Sequence, residues 1–181
     1  RPIDLSETCL DRLEALRAEI PAPVTLETDL PLPGPVVIVD SAQVGQVLAG
    51  LVSNAWEAIG DGPGNIRLSV STAKRKDIPE DRRFPVDWQP AMDDYACLTV
   101  TDTGRGMSGQ TIDRIFDPFY TDKFTGRGLG LAVALGIIKS FRGCVTVESR
   151  VGGQRSEVGG RRTEDRGRKT EDGGQGLEGV A

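Results

Sequence analysis

Between residues 41 and 59 the apolar positions Val44, Val47, Leu48, Leu51, Val52, Ala55 and Ile59 follow the i, i+3, i+4, i+7 series of a helix with one buried face. Asp40 or Ser41 caps its start, and Gly60 ends it. A second strong helix is predicted over 129–141, closed by Gly143, and a short one over 108–115. Residues 4–20 carry Leu5, Leu10, Leu13, Leu16 and Ile20 at near-helical spacing, with Asp4 and Glu7 placed as a capping box, which predicts one amphipathic N-terminal helix. Elsewhere the period is two. Ile66, Leu68 and Val70 alternate with Arg67, Ser69 and Ser71, and Ala96, Leu98 and Val100 alternate with Tyr95, Cys97 and Thr99, so two half-buried strands are expected. Residues 24–28, 36–40 and 144–148 also read as strands. A hairpin is the simplest pairing for the first two, across a turn containing Pro31, Pro33 and Pro35.

Two stretches depart from these periods. Residues 72–94 hold Pro79, Pro85, Pro90 and many charges, which predicts a long, mobile surface excursion. Residues 152–181 can be written as heptads, from GGQRSEV to GGQGLEG, but they lack the apolar a and d positions of a coiled coil and are predicted to be disordered. The expected organisation is therefore a linker helix over 1–22, one folded domain over 23–151 and a charged, glycine-rich tail over 152–181.

Composition narrows the chemistry. With 181 residues, 38% of them hydrophobic, the chain can bury a core as one domain. Its net charge of −5, with basic and acidic residues interspersed, lacks the basic field that nucleic acid requires, so no nucleic-acid partner is expected. Cys9, Cys97 and Cys144 are odd in number and far apart, as suits reduced thiols in the cytoplasm and no zinc site. The longest apolar run, 129–138, is about half the ~20 residues of a membrane span, so no direct membrane contact is expected. The chain contains no histidine, and any step that needs one must borrow it from elsewhere. It begins at Arg1, and is expected to be a piece of a longer chain or a processed product.

Three clusters carry candidate chemistry. Glycines at 126, 128 and 130 stand where a helix opens, where bare N–H groups and the helix dipole can approach a phosphate chain or, equally, where tight packing is needed. Leu-Gly-Leu follows where a Walker turn has Gly-Lys-Ser/Thr, and no strand precedes as in a dinucleotide fingerprint, so both alternatives fall. Asp102 ends a strand on the same face as Leu98 and Val100, and a buried carboxylate requires donors. Either it makes an Asx turn before Gly104, or it accepts the exocyclic amine of a base, with Gly104 and Gly106 leaving room for the ring. Asn54 borders the apolar stripe of its helix, as an ordinary boundary residue or as a neutral oxygen ligand for Mg²⁺; Glu57, one turn later, reinforces the metal's water shell or is simply exposed.

Taken in order, residues 46–58 around Asn54, the run Asp102-Thr103-Gly104-Arg105-Gly106-Met107, residues 115–123 (IFDPFYTDK) and Gly126-Arg127-Gly128-Leu129-Gly130-Leu131 resemble the N box, first glycine box, F box and second glycine box of sensor histidine kinases, within the GHKL ATPase superfamily. The resemblance implies a two-layer α/β sandwich, a mixed sheet with helices on one face, and an ATP site. By carry-over, Asn54 holds Mg²⁺ against the phosphates, with Glu57 beside it. Asp102 accepts the adenine amine, and Gly104, Gly106 and Met107 shape the base pocket. Phe116 and Phe119 anchor a lid running to about Arg127, Lys123 approaches the phosphates, and Gly126, Arg127, Gly128, Leu129 and Gly130 close over them; Asn54 and Lys123 are the implied catalytic pair. The implied function is transfer of the ATP γ-phosphoryl group to a histidine on a separate dimerisation domain, with a response-regulator receiver downstream. The family often has a second Asn at the position of Gly50, where related ATPases place a Glu base; Gly50 argues against autonomous hydrolysis and leaves a degenerate, non-catalytic nucleotide-binding module as the alternative. The family also continues past residue 152 into one more strand, which the heptads replace, so the sheet is expected to lack that strand and expose an edge.

Overall fold

A computed structural model describes residues 1–120 and 128–151, and the backbone of 175–180. Among the described residues eight strands and five α-helices follow one another: β1 (Pro2–Asp4), α1 (Leu5–Leu10), α2 (Leu13–Glu19), β2 (Val24–Asp29), β3 (Val36–Ile38), α3 (Ser41–Ile59), β4 (Gly64–Lys74), β5 (Arg83–Phe84), β6 (Asp94–Asp102), α4 (Gly109–Ile112), α5 (Gly130–Ser140), β7 (Cys144–Ser149) and β8 (Gln175–Val180). A six-stranded sheet runs β2-β4-β6-β8-β7-β5, and β1 with β3 forms a small second sheet. Only the β2–β4 pair is parallel in the large sheet, so it is mixed as expected.

Period-two alternation sends Ile66, Leu68 and Val70 of β4, Ala96, Leu98 and Val100 of β6 and Val145 and Val147 of β7 into one core with the apolar stripes of α1, α2, α3 and α5. The helices thus cover one face. On the other, Tyr95, Cys97 and Cys144 meet Ile78 and Trp88 in a second, smaller cluster. Burial pushes the thiol of Cys9 up to about 12 and that of Cys144 to about 11, so both are neutral, inert packing groups near neutral pH.

Several local expectations are corrected. The single helix over 4–20 is two, broken at Asp11 and Arg12; Leu10, counted as a core position, is partly exposed, and Cys9 takes the buried place. Residues 24–28 and 36–40 do not pair as a hairpin: β2 joins β4 in parallel, and β3 joins β1. The reason lies in the turn. Gly34 donates its N–H to the Asp4 carboxylate at 2.7 Å and Pro35 accepts from Leu5 N–H at 3.0 Å, docking the turn on the start of α1 and delivering β3 to β1. Asp4 also caps α1 through Glu7 N–H, and that bond holds its carboxyl below the usual aspartate range.

The stretch 72–94 is not a mere surface excursion. β4 extends through Lys74, β5 pairs with the edge of β7, and Ile78 and Trp88 fold over the open face of the sheet. Sparse apolar residues among charges hid this. α4 is only four residues long, and α5 leaves its last turn through positive φ at Arg142 (61°), one residue ahead of the expected Gly143, whose N–H still closes on Ile138 at 2.9 Å. Of the expected tail, 152–174 and 181 lie outside the described residues, whereas 175–180 form β8 between β6 and β7. The strand expected to be missing is therefore supplied from farther along the chain. β6 and β7 each turn a row of backbone donors and acceptors toward that gap, and β8 pairs with both. Its glycines, Gly176 and Gly179, gave it no strand signature.

Candidate functional site

The site is built around α3. The Asp40 carboxylate accepts the N–H groups of Ala42 and Gln43 at 2.8 and 3.1 Å, which fixes where the helix starts, and Val44, Val47, Leu48, Leu51, Val52, Ala55 and Ala58 bury its core face. That fixes its rotation. Gly50, Ser53, Asn54 and Glu57, spaced i, i+3, i+4, i+7, form the half-buried flank beside that stripe. Ser53 Oγ donates to Glu57 Oε1 at 3.0 Å, so this carboxylate is oriented along the helix.

Two other elements meet α3 on either side of Asn54. A Cβ added at Gly50 would stand 3.2 Å from the carbonyl oxygen of Gly130, so α5 begins hard against the helix, one turn before Asn54. Among the described residues no side chain caps α5 at Leu129, and its first-turn N–H groups are of the kind that attract anions. One turn after Asn54, Ala58 accepts the N–H of Arg105 at 3.1 Å, and a Cβ at Gly104 would lie 2.7 Å from the Ala58 carbonyl carbon. From Gly50 to Ala58 the helix rises by about 12 Å.

Asp102 ends β6 only 4% exposed, and its Oδ1 accepts Gly104 N–H at 2.7 Å. The Asx turn read from the sequence is present. Gly104 and Gly106 serve the packing of that loop: the missing side chains make way for Ala58 and for the carbonyl of Arg150, with Gly106 at φ +72°. Met107 N–H donates to Ser149 Oγ at 2.7 Å, tying the loop to the end of β7.

Phe116 is half-buried and stacks obliquely on Phe84, ring centroids 4.7 Å apart. Phe119, 75% exposed and at φ +67°, donates its N–H to the carbonyl of Gly128 at 2.9 Å. Gly128 has φ +63°, and any side chain there would collide with Phe119 and Tyr120. Lys123, Gly126 and Arg127 lie outside the described residues. Leu129 is partly exposed and Gly130 opens α5. Sequence reasoning missed Ser53, Phe84 and Ser149. Of these only Phe84 had a signal, as an aromatic in a stretch otherwise dominated by charge and proline.

No cluster of three or more metal-binding side chains exists among the described residues. Asn54 and Glu57 carry hard oxygen donors of the kind Mg²⁺ takes, and would suit an ion whose remaining ligands were phosphate oxygens and water.

Residues 39–163 match the family model described as histidine kinase-, DNA gyrase B-, and HSP90-like ATPase, a span containing Asn54, Asp102 and Gly130. The chain belongs to this family. It is 34% identical over 116 residues to the sensor kinase CckA of Brucella abortus, a match covering 62% of the chain and 12% of that relative. The mycobacterial sensor histidine kinase MprB shares the fold with a TM-score of 0.65 at 20% identity, over 99% of this chain and 95% of that one. Full-length ShkA, solved in complex with AMPPNP, does so with a TM-score of 0.66 at 20% identity, over 100% of this chain and 30% of that one. ATP is accordingly the ligand class of the family, and the α/β sandwich with helices on one face is the family fold. No helix among the described residues is long and apolar enough to cross a membrane.

Proposed function

We propose that the chain binds Mg²⁺·ATP in the cytoplasm and presents the γ-phosphoryl group to a histidine supplied by another segment or protein, as the catalytic part of a sensor histidine kinase. One observation carries the reading: α3 meets the start of α5 at Gly50 and the Asp102 turn at Ala58. A phosphate-attracting end and a base-accepting end so stand on either side of Asn54, separated by the reach of an extended nucleoside triphosphate.

Asp102 accepts the adenine amine while Gly104 N–H holds the carboxylate in place, and Met107 borders the base. Asn54, seconded by Glu57, holds the metal; bound Mg²⁺ neutralises charge on the phosphates. The first-turn N–H groups at Gly130 face the phosphates, and Lys123, Gly126 and Arg127 complete their surroundings. Phosphoryl transfer is governed by positioning and charge neutralisation, so a nucleotide site without its own nucleophile is chemically coherent. With no histidine in the chain, the acceptor belongs to a dimerisation domain and the onward transfer to a response-regulator receiver.

Titration with a fluorescent ATP analogue tests this. Asp102→Asn is expected to weaken binding by about tenfold or more, the worth of one charge-assisted hydrogen bond. Asn54→Ala is expected to weaken only the Mg²⁺-dependent part. Unchanged titrations for both variants would remove the assignment. Labelled phosphate should reach a histidine domain added in trans and never the chain alone.

A further inference from the structure

The ring of Phe84 reaches the main core from a segment outside all four motifs. β5 pairs Arg83 with Thr146 and Phe84 with Val145 of β7, and Val147 N–H donates to the Arg82 carbonyl at 3.1 Å. Trp88 anchors the same segment from the other end: its Nε1–H donates to the Arg142 carbonyl at 2.8 Å, its backbone N–H to the Pro85 carbonyl at 3.0 Å, and the Arg83 guanidinium lies 5.2 Å from its ring centre. So held, Phe84 is presented to Phe116 as a fixed surface.

What Phe116 controls is short and stiff. Three residues later Phe119 bonds to Gly128, and two residues after that glycine Gly130 rests against Gly50 beside Asn54. Positive φ at Phe119, a sparsely allowed conformation for a residue with a side chain, narrows the conformations this junction can take. A shift of the Phe116 ring therefore passes to the start of α5 with few soft bonds between.

We propose that Phe84 is a positioning residue for nucleotide binding, acting through Phe116 on the Phe119–Gly128 junction and the first turn of α5. The inference rests on the nucleotide-binding reading above. It assigns a role to residues 72–94, whose packed excursion sets how long the nucleotide stays bound.

Stopped-flow release of a fluorescent ATP analogue from the full chain tests it. Phe84→Leu, which keeps apolar bulk but removes the ring, is expected to speed dissociation about threefold to tenfold, the range of one aromatic pair. In a Phe116→Leu background the same change is expected to add nothing. Val24→Ala, in edge strand β2 away from this junction, is expected to lower the denaturation midpoint and leave release unchanged, which separates positioning from general loss of stability. Normal release from Phe84→Leu, or additive effects of the two Phe variants, would overturn the inference while leaving the site assignment standing. Absence of binding by the unaltered chain would overturn both.

Discussion

Gly50 is the residue at which the family resemblance and the packing have to be read together. The position that often carries an Asn in the family here lies under the carbonyl of Gly130, with room for a Cβ only at 3.2 Å. An alanine would gain roughly 1 kcal/mol of helix propensity and, against that, push the start of α5 outward by a few tenths of an ångström. Gly50→Ala is therefore expected to alter stability by less than about 1 kcal/mol while measurably weakening affinity for the ATP analogue; denaturant unfolding and titration in parallel would separate the two. Unaltered affinity would mean that the α3–α5 approach does not shape the site. Close helix contact gives this glycine a packing reason of its own, so it is no mark by itself of a degenerate module. Asn54 and Asp102 stood out in the sequence because one polar residue borders an apolar stripe and the other ends a strand on its buried face. Ser149 gave no signal, and Phe84 gave one as a lone aromatic but none for its contact: their partners, Met107 and Phe116, lie 42 and 32 residues away, and no local pattern encodes such a pairing.

Among the elements, α3 carries the site, and its register depends on its first turn. Asp40 satisfies two of the N–H groups that a helix start leaves open. Asp40→Ala should cost about 1 kcal/mol, read as a lowered urea midpoint, whereas Asp40→Asn should stay close to the parent. An equal loss in both would mean that charge rather than the cap geometry matters. Both features of this helix, the cap and the apolar stripe from Val44 to Ala55, stand in the sequence because they are local; at its end Ala58 is buried and the expected Ile59 only partly so. The elements that the pattern misassigned are those settled by distant partners. β3 follows Asp4, thirty residues upstream of Gly34, instead of its neighbour β2. β5, only two residues long, exists because β7 offers an edge.

For the molecule as a whole, the decisive strand is β8. It is the only link between β6 and β7 in the sheet order, pairing Leu177 with Val100 on one side and Val147 on the other. A proline there lacks the N–H that a central ladder uses and does not fit the interior of a sheet. Leu177→Pro is expected to lower the unfolding midpoint sharply and to favour association through the opened edges, as seen by denaturation and by size-exclusion chromatography at two concentrations. An unchanged midpoint would exclude β8 from the sheet.

Local pattern was enough to specify α3 and α5, the alternating strands, the glycine turns and the order of four motifs, because each is encoded within a few residues of itself. Long-range packing settled which strands became neighbours, that a packed second cluster covers the open face, that a glycine-rich strand from beyond residue 174 completes the sheet, and that Phe84 stands behind Phe116. Those outcomes depend on backbone groups and side chains seeking partners far along the chain, and that demand is visible only when the competing edges and surfaces are present together.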